Sequence, residues 1–323
     1  MSTMSRVRLT TPGQIVASVP LLCGFYPANS LVVISLRLEG ERKMVGLTAR
    51  LDLPETPADL GNVLSQIPVR MSQDGASDVL LVVFSDKADV WDGLVTDLRV
   101  ALATHSIGIQ EAMRTANGLW WSYDCHLPCC PPEGTPVPTD DDQVNTVKAA
   151  GVGQGRGVLP TREDLVRSVQ AGPNTMTAEE IKVVGLAPFG GGESAWEQAL
   201  ADWKDKPRDL HPYLAATLAR QLHLTYNRDH VMTYILDDDA LMLSLALAVA
   251  QQTPDELAAP VCTMVALAAY ASGDGALANV GLDRALACTG DYSLALLVRR
   301  CLDSGFPPVV IRELLQSTRD ELS

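Results

Sequence analysis

The chain has 323 residues, 47% apolar and 20% charged, enough apolar mass for two domains with cores of their own and too much for wholesale disorder. Its formal net charge is −14, so it repels phosphates, and a nucleic-acid backbone is excluded as a partner unless a local basic patch exists. The nearest such pair, Arg299-Arg300, is flanked by apolar residues and Asp303.

Thr10 or Thr11 can cap a helix with Pro12 in its first turn. Ile15, Val16, Val19, Leu22 and Cys23 then recur at helical spacing, and Gly24 ends the helix. Phe25-Tyr26-Pro27-Ala28-Asn29-Ser30 is a turn. Residues 31–38 are a continuous apolar strand of the kind buried on both faces. The polar run Glu39-Gly40-Glu41-Arg42-Lys43 turns the chain, and residues 44–53 return as a second strand. Thr56-Pro57 starts a helix through Ala58, Leu60, Val63, Leu64 and Ile67. Residues 78–84 form another buried strand, with Ser85-Asp86 as the turn after it. A helix over 89–104 then sets Val90, Trp91, Leu94, Val95, Leu98 and Leu102 on one face. Residues 107–115 and 119–123 pair across Ala116-Asn117-Gly118, because Asn-Gly between strand-like runs is a strong hairpin signal. The expectation for residues 1–139 is an α/β domain: a mixed sheet with flanking helices and a terminal hairpin that exits into a Trp/Cys-rich loop.

Residues 131–142 are Pro-rich and then acidic (Asp140-Asp141-Asp142), the composition of a solvated surface loop. A linker with connecting helices is expected over 140–194, with capping boxes at Thr161/Asp164 and Thr177/Glu180 and a break at Gly190-Gly191-Gly192. Residues 195–323 read as an all-α half, with helices near 195–203, 211–222, 228–236, 240–251, 260–271, 276–287, 292–303 and 308–317. Around 262–297 the spacing is that of two antiparallel helices. Gly273-Asp274-Gly275 makes the turn; Ala266, Ala269, Ala278 and Ala285 allow close approach; Leu282 and Leu286 fill the gap. The pair is tetratricopeptide-like, although single and without the proline expected near Gly290. The N-terminus lacks the charged-then-apolar pattern of a signal peptide, and the apolar run 240–250 is too short to span a bilayer. Together these predict a cytoplasmic protein with no membrane partner. Seven cysteines are an odd number in a chain with its own core, so no disulfide framework is required.

The densest chemistry lies over residues 120–134, which hold three of the seven cysteines, two of the five tryptophans and one of the five histidines. Strand alternation sends Trp120 and Ser122 to one face and Trp121 and Tyr123 to the other, so one tryptophan enters the core while the other can line a surface. Trp120, Trp121, Tyr123 and Glu133 are the candidate ligand-binding residues, on a loop restricted by Pro128, Pro131 and Pro132. Cys125, His126, Cys129 and Cys130 are candidate metal ligands, since thiolates and an imidazole suit zinc. Against zinc, the adjacent Cys129 and Cys130 tend to point apart, and no second Cys/His pair stands at zinc-site spacing. The alternative is a braced structural loop whose thiols pack under the tryptophans. A nucleophilic Cys129 or Cys130 would need His126 as base with Glu133 or Asp124 beside it, yet an acidic setting raises a thiol pKa.

Other motifs have plainer readings. Gly151-Val152-Gly153-Gln154-Gly155-Arg156-Gly157 suggests a phosphate cradle but lacks the Lys-Ser/Thr of a P-loop and follows a helix-like run, so it reads as a linker. Asp237-Asp238-Asp239 could bind a hard cation, but at the head of an apolar helix it reads as favourable capping charge. Arg228-Asp229-His230 reads as an ion pair, and His105, His211 and His223 as structurally satisfied.

Several phrases together carry a resemblance: Thr11-Pro12; Val19-Pro20-Leu21-Leu22-Cys23-Gly24-Phe25 with Pro27 and Ser30-Leu31-Val32-Val33; and Gly46-Leu47-Thr48-Ala49-Arg50-Leu51-Asp52. They continue with Trp120-Trp121-Ser122-Tyr123, Cys129-Cys130-Pro131-Pro132-Glu133-Gly134-Thr135-Pro136, Gly273-Asp274-Gly275-Ala276-Leu277-Ala278 and Gly305-Phe306-Pro307-Pro308. In order and spacing the chain resembles the actinobacterial family catalogued as domain of unknown function 4192, over nearly its whole length apart from roughly 140–200. The resemblance implies no particular activity. Two function classes therefore stand. The first is a non-catalytic cytosolic protein that binds a partner protein or small ligand, with the helical half as contact surface. The second is a metal-binding or thiol-dependent enzyme centred on residues 120–134. The first is preferred, because no complete catalytic constellation can be assembled.

Overall fold

A computed structural model describes residues 8–56, 61–87, 89–153, 157–173, 175–183, 195–205 and 210–322. The chain divides into two compact units, Met1–Arg162 and Glu163–Ser323.

The first unit is built on six strands: β1 (Ser30–Glu39), β2 (Arg42–Asp52), β3 (Asp78–Phe84), β4 (Gly108–Ala116), β5 (Leu119–Ser122) and β6 (Thr135–Pro136). They form one mixed sheet in the order β2-β1-β3-β4-β5-β6. β1 runs antiparallel to both neighbours, whereas β3 and β4 are parallel. A parallel pair needs a crossover, supplied by a 3-10 turn (Asp89–Trp91) and α4 (Asp92–Ala103). Leu31, Val33, Val79, Leu81 and Val83 pack with Ile67 and Met71 of α3 (Gln66–Gln73) and with Trp91, Leu94, Leu98 and Leu102. The alternate residues Val32, Ile34, Leu80 and Val82 are buried too. Burial on both faces is why β1 and β3 read as unbroken apolar runs.

α1 (Pro12–Cys23) begins as expected, with Thr11 and Gln14 in a capping box and Gly24 left-handed at its end. Asn117 and Gly118 both have positive φ, 50° and 76°, which the two-residue hairpin turn demands. The acidic run is only in part a solvated loop. Asp141 caps α5 (Asp142–Gly153) by accepting from the Gln143 and Val144 amides, and the Gln14 amide of α1 donates to it at 3.1 Å. The Pro-rich stretch contributes β6, where Thr135 pairs with Trp120 and Pro136 with Leu119. A two-residue strand ending in proline carries no alternating pattern to read. The start of the helix expected from Thr56 falls on residues 57–60, which lie outside the described residues; the described residues after them form α2 (Gly61–Leu64) and α3.

The second unit is helical throughout its described residues: α6 (Arg162–Arg167), α7 (Ala178–Val183), α8 (Ala195–Asp205), α9 (Pro212–Gln221), α10 (Thr225–Met232), a 3-10 turn (Thr233–Leu236), α11 (Asp239–Ala250), α12 (Asp255–Ala271), α13 (Gly275–Cys288), α14 (Ser293–Asp303) and α15 (Pro308–Leu322). The expected break at Gly190-Gly191-Gly192 lies outside the described residues. Asp238 caps α11 through the Leu241 amide, while Asp237 and Asp239 pair with Arg319 and Arg312. Ala266, Ala269, Ala278 and Ala285 are fully buried, and Gly281 of α13 lies against Ala266 and the Cys262 carbonyl of α12. Arg284 of α13 is buried and donates to the carbonyls of Val169, Ala250 (2.8 Å) and Thr253 (2.7 Å) and to the Asp255 carboxylate (2.9 Å). Among the described residues no helix is long and apolar enough to cross a membrane.

Candidate functional site

The β4–β5 hairpin carries a different feature at each end. At its turn a cavity of about 760 Å³ opens beside the carboxyl ends of the parallel strands. Phe84, Ser85, Asp86 and Lys87 follow along β3, while Thr115, Ala116, Asn117 and Gly118 come from β4 and its turn. Ala28 and Asn29 precede β1, and Val16, Ala17 and Pro20 of α1 close one side. The floor is held by its own hydrogen bonds. The buried Trp91 indole and the Lys87 amide both donate to the Ser85 hydroxyl, at 3.1 and 3.2 Å, and the Ser85 amide donates to the Thr115 carbonyl at 3.1 Å. Lys148 donates to the Thr139 carbonyl at 2.6 Å, whereas the Lys87 ammonium forms no ion pair among the described residues. Asn29, like Asn117, stands at positive φ (43°), the region asparagine tolerates better than most residues. The lining is largely apolar with convergent polar groups, and among its described residues it includes no cysteine or histidine.

This cavity was not foreseen. The Ser85-Asp86 and Asn117-Gly118 turns were both legible, and the strand–helix–strand succession over residues 78–115 is the pattern of a parallel pair. Ligands of open α/β sheets bind outside the carboxyl ends of the strands, so that succession was the signal that could have pointed here.

At the far end of the hairpin, Ser122 leads into the Trp/Cys-rich loop. Alternation along β5 holds. Trp120 is 7% exposed and its indole lies beside Gly13 of α1, as Pro138 does; Tyr123 packs on the α3–α4 core. The Tyr123 hydroxyl is buried with no hydrogen-bond partner among the described residues, and desolvation pushes its pKa up to about 12. Trp121 is half-buried: the Arg114 guanidinium lies 3.8 Å from its ring centroid, and its indole donates to the Pro132 carbonyl at 2.9 Å. Gly134 backs onto that ring at φ +89°, where an added Cβ would stand 2.6 Å from it. Gly134→Ala is therefore expected to cost about 1–3 kcal/mol, from the left-handed backbone and the displaced ring. A shifted denaturant midpoint with altered tryptophan fluorescence checks this; an unmoved midpoint refutes it.

The Ser122 hydroxyl accepts from the Asp124 and Cys125 amides at 3.1 and 3.0 Å, swinging the chain out of the strand, and the Cys130 amide closes a turn on Leu127 at 2.8 Å. The turn brings the thiols of Cys125, Cys129 and Cys130 within 4.8 Å of one another, with Cys125 and Cys129 3.7 Å apart. Adjacency predicts divergence only for extended chain, and here Cys129 and Cys130 sit in a turn. His126 and Glu133 are exposed and lie outside this group; Asp124 instead pairs with Arg99 at 2.7 Å. A backbone hydrogen bond at Leu127, then the neighbouring thiols, lower the Cys125 pKa, while loss of solvation and those same neighbours push Cys130 up to about 12.

The remaining motifs are structural where described. His211 caps α9 by accepting from the Tyr213 amide, His223 bonds the Leu257 carbonyl, and Arg228 pairs with Asp229. Residues 154–156 of the glycine-rich stretch lie outside the described ones, and the three residues before them end α5. A family model described as Domain of unknown function (DUF4192) matches residues 12–309. No curated protein and no solved structure matches the chain.

Proposed function

Since the chain belongs to that family of unknown function, we propose its function from the geometry: it is a binding protein that holds a small organic ligand at the carboxyl ends of β3 and β4. The observation that carries this reading is the cavity itself. Its volume of about 760 Å³ falls within the roughly 300–1,000 Å³ of small-molecule sites. Its composition gives the ligand's outline. Val16, Pro20, Leu53 and Phe84 suit an apolar body, and Lys87, Asn29 and Asn117 suit a polar end. Binding is proposed because it needs only the cavity; the described lining has no thiol or imidazole, and general-base work would fall to the Glu55 and Asp86 carboxylates.

A thermal-shift screen of small metabolites tests it. A true ligand at about 100 times its Kd should stabilise the protein by about 2.7 kcal/mol. Ala17→Trp, which fills the cavity from α1, should keep the fold and abolish the shift. A screen without a hit, or a hit that Ala17→Trp leaves unchanged, overturns the reading.

A further inference from the structure

We propose that Cys125, Cys129 and Cys130 form a site for one thiophilic metal ion, zinc being the type, held by three thiolates with water in an open fourth position. The proposal is independent of the cavity at the other end of the hairpin. Its first support is spacing. Two sulfurs each about 2.3 Å from a tetrahedral zinc are roughly 3.8 Å apart, and Cys125 and Cys129 already stand at 3.7 Å, with Cys130 inside the same 4.8 Å group.

The second support is preorganisation. The Ser122 hydroxyl holds the Cys125 amide, and the Leu127 carbonyl holds the Cys130 amide. The indole of Trp121 ties the downstream chain at Pro132. Little loop ordering is left for the ion to impose. The third is exposure. Cys23, Cys262 and Cys301 are buried, as packing cysteines are, whereas Cys129 is exposed and Cys125 and Cys130 are half-buried. Thiols gathered at a surface, and not under apolar side chains, leave an entry path for an ion. A three-ligand set with one open position is the arrangement of reactive zinc sites, whereas structural sites close the shell with a fourth protein ligand. His126 and Glu133 do not close it here.

The test uses the full chain, reduced and without oxygen, titrated with zinc chloride against a chromophoric chelator and separately with cobalt(II). The expected result is one ion per chain, with cobalt showing sulfur-to-metal charge-transfer absorption. Cys125→Ser and Cys129→Ser should each weaken zinc by more than about 100-fold, because losing a residue that only supports a ligand already costs roughly 10–100-fold. Cys288→Ser, outside the group, should bind as the parent does. Reduced parent protein that takes up no zinc overturns the site, as does cobalt absorption lacking the thiolate bands. Undiminished binding in Cys125→Ser or Cys129→Ser overturns it equally. The cobalt spectrum is read on the unsubstituted protein, so a variant that fails to fold does not decide the matter.

Discussion

Arg284→Ala is expected to destabilise the helical unit by about 3–5 kcal/mol, the range for stripping one partner from a buried charged network. The guanidinium bonds three main-chain carbonyls from two separate segments, that of Val169 and those of Ala250 and Thr253 at the end of α11 and in the turn after it. Ala250 is the last residue of α11, and its carbonyl also accepts from the Thr253 amide at 3.3 Å, so the carbonyls of Val169 and Thr253 depend more on the guanidinium. Truncation removes this donor from all three, at about 1–3 kcal/mol for each one left unsatisfied, moderated where water can enter. The ion pair with Asp255 is the smaller part, since that carboxylate is 73% exposed. Arg284→Met keeps most of the volume but none of the donors, so it should fall nearly as far. Arg284→Lys should lie between, because an ammonium lacks the planar fork that serves several acceptors. Urea denaturation followed by circular dichroism measures all three. A loss under about 1 kcal/mol for the alanine variant would mean that the carbonyls find other partners.

Gly281→Leu should cost about 3 kcal/mol or somewhat more, at the upper end of overpacking penalties. A Cβ at this position would stand 2.9 Å from the Cys262 carbonyl oxygen and 3.2 Å from the Ala266 amide nitrogen. These are main-chain atoms in the middle of α12 and cannot swing aside as a side-chain tip would. Gly281→Ala is the informative companion. It gains about 1 kcal/mol of helix propensity but introduces the same Cβ, so its net cost should be well below that of leucine. Equal denaturant midpoints for Gly281→Leu and the parent would show that α12 and α13 can separate cheaply.

Local chemistry was legible and non-local chemistry was not. Thr11 with Gln14, Gly24, Asn117-Gly118 and the apolar runs of β1 and β3 each announce their own conformation within a few residues. The small residues at Ala266, Ala269, Ala278 and Ala285 marked the helix pair, yet Gly281, which makes the closest approach, was passed over because glycine in a helix reads only as a weak point. Arg284 gave no signal, since its acceptors are carbonyls that every residue possesses, from as far away as Val169. The cavity depends on β3 and β4 running parallel, a pairing that the strand–helix–strand succession suggests, but also on which residues of α1 and the β1 approach close over it, and these are non-local. In the Trp/Cys-rich loop the residue types were plain in the sequence but not their arrangement: the Leu127–Cys130 turn gathers three thiols, and His126 lies outside that group.

The sheet order also decides where a further strand could add to the sheet. A terminal strand offers a row of unmatched main-chain groups onto which a foreign strand can polymerise. Here the last strand on one side is β6, two residues long, ending at Pro136 with Pro138 just beyond. Proline has no N–H to give a newcomer, and two residues make too short a template. At the opposite border β2 carries Arg42, Lys43 and Arg50, charges that discourage a second copy from aligning. The Pro-rich segment beside the thiol loop thus closes that border to strand addition, and a substitution that lengthened β6 is expected to open it.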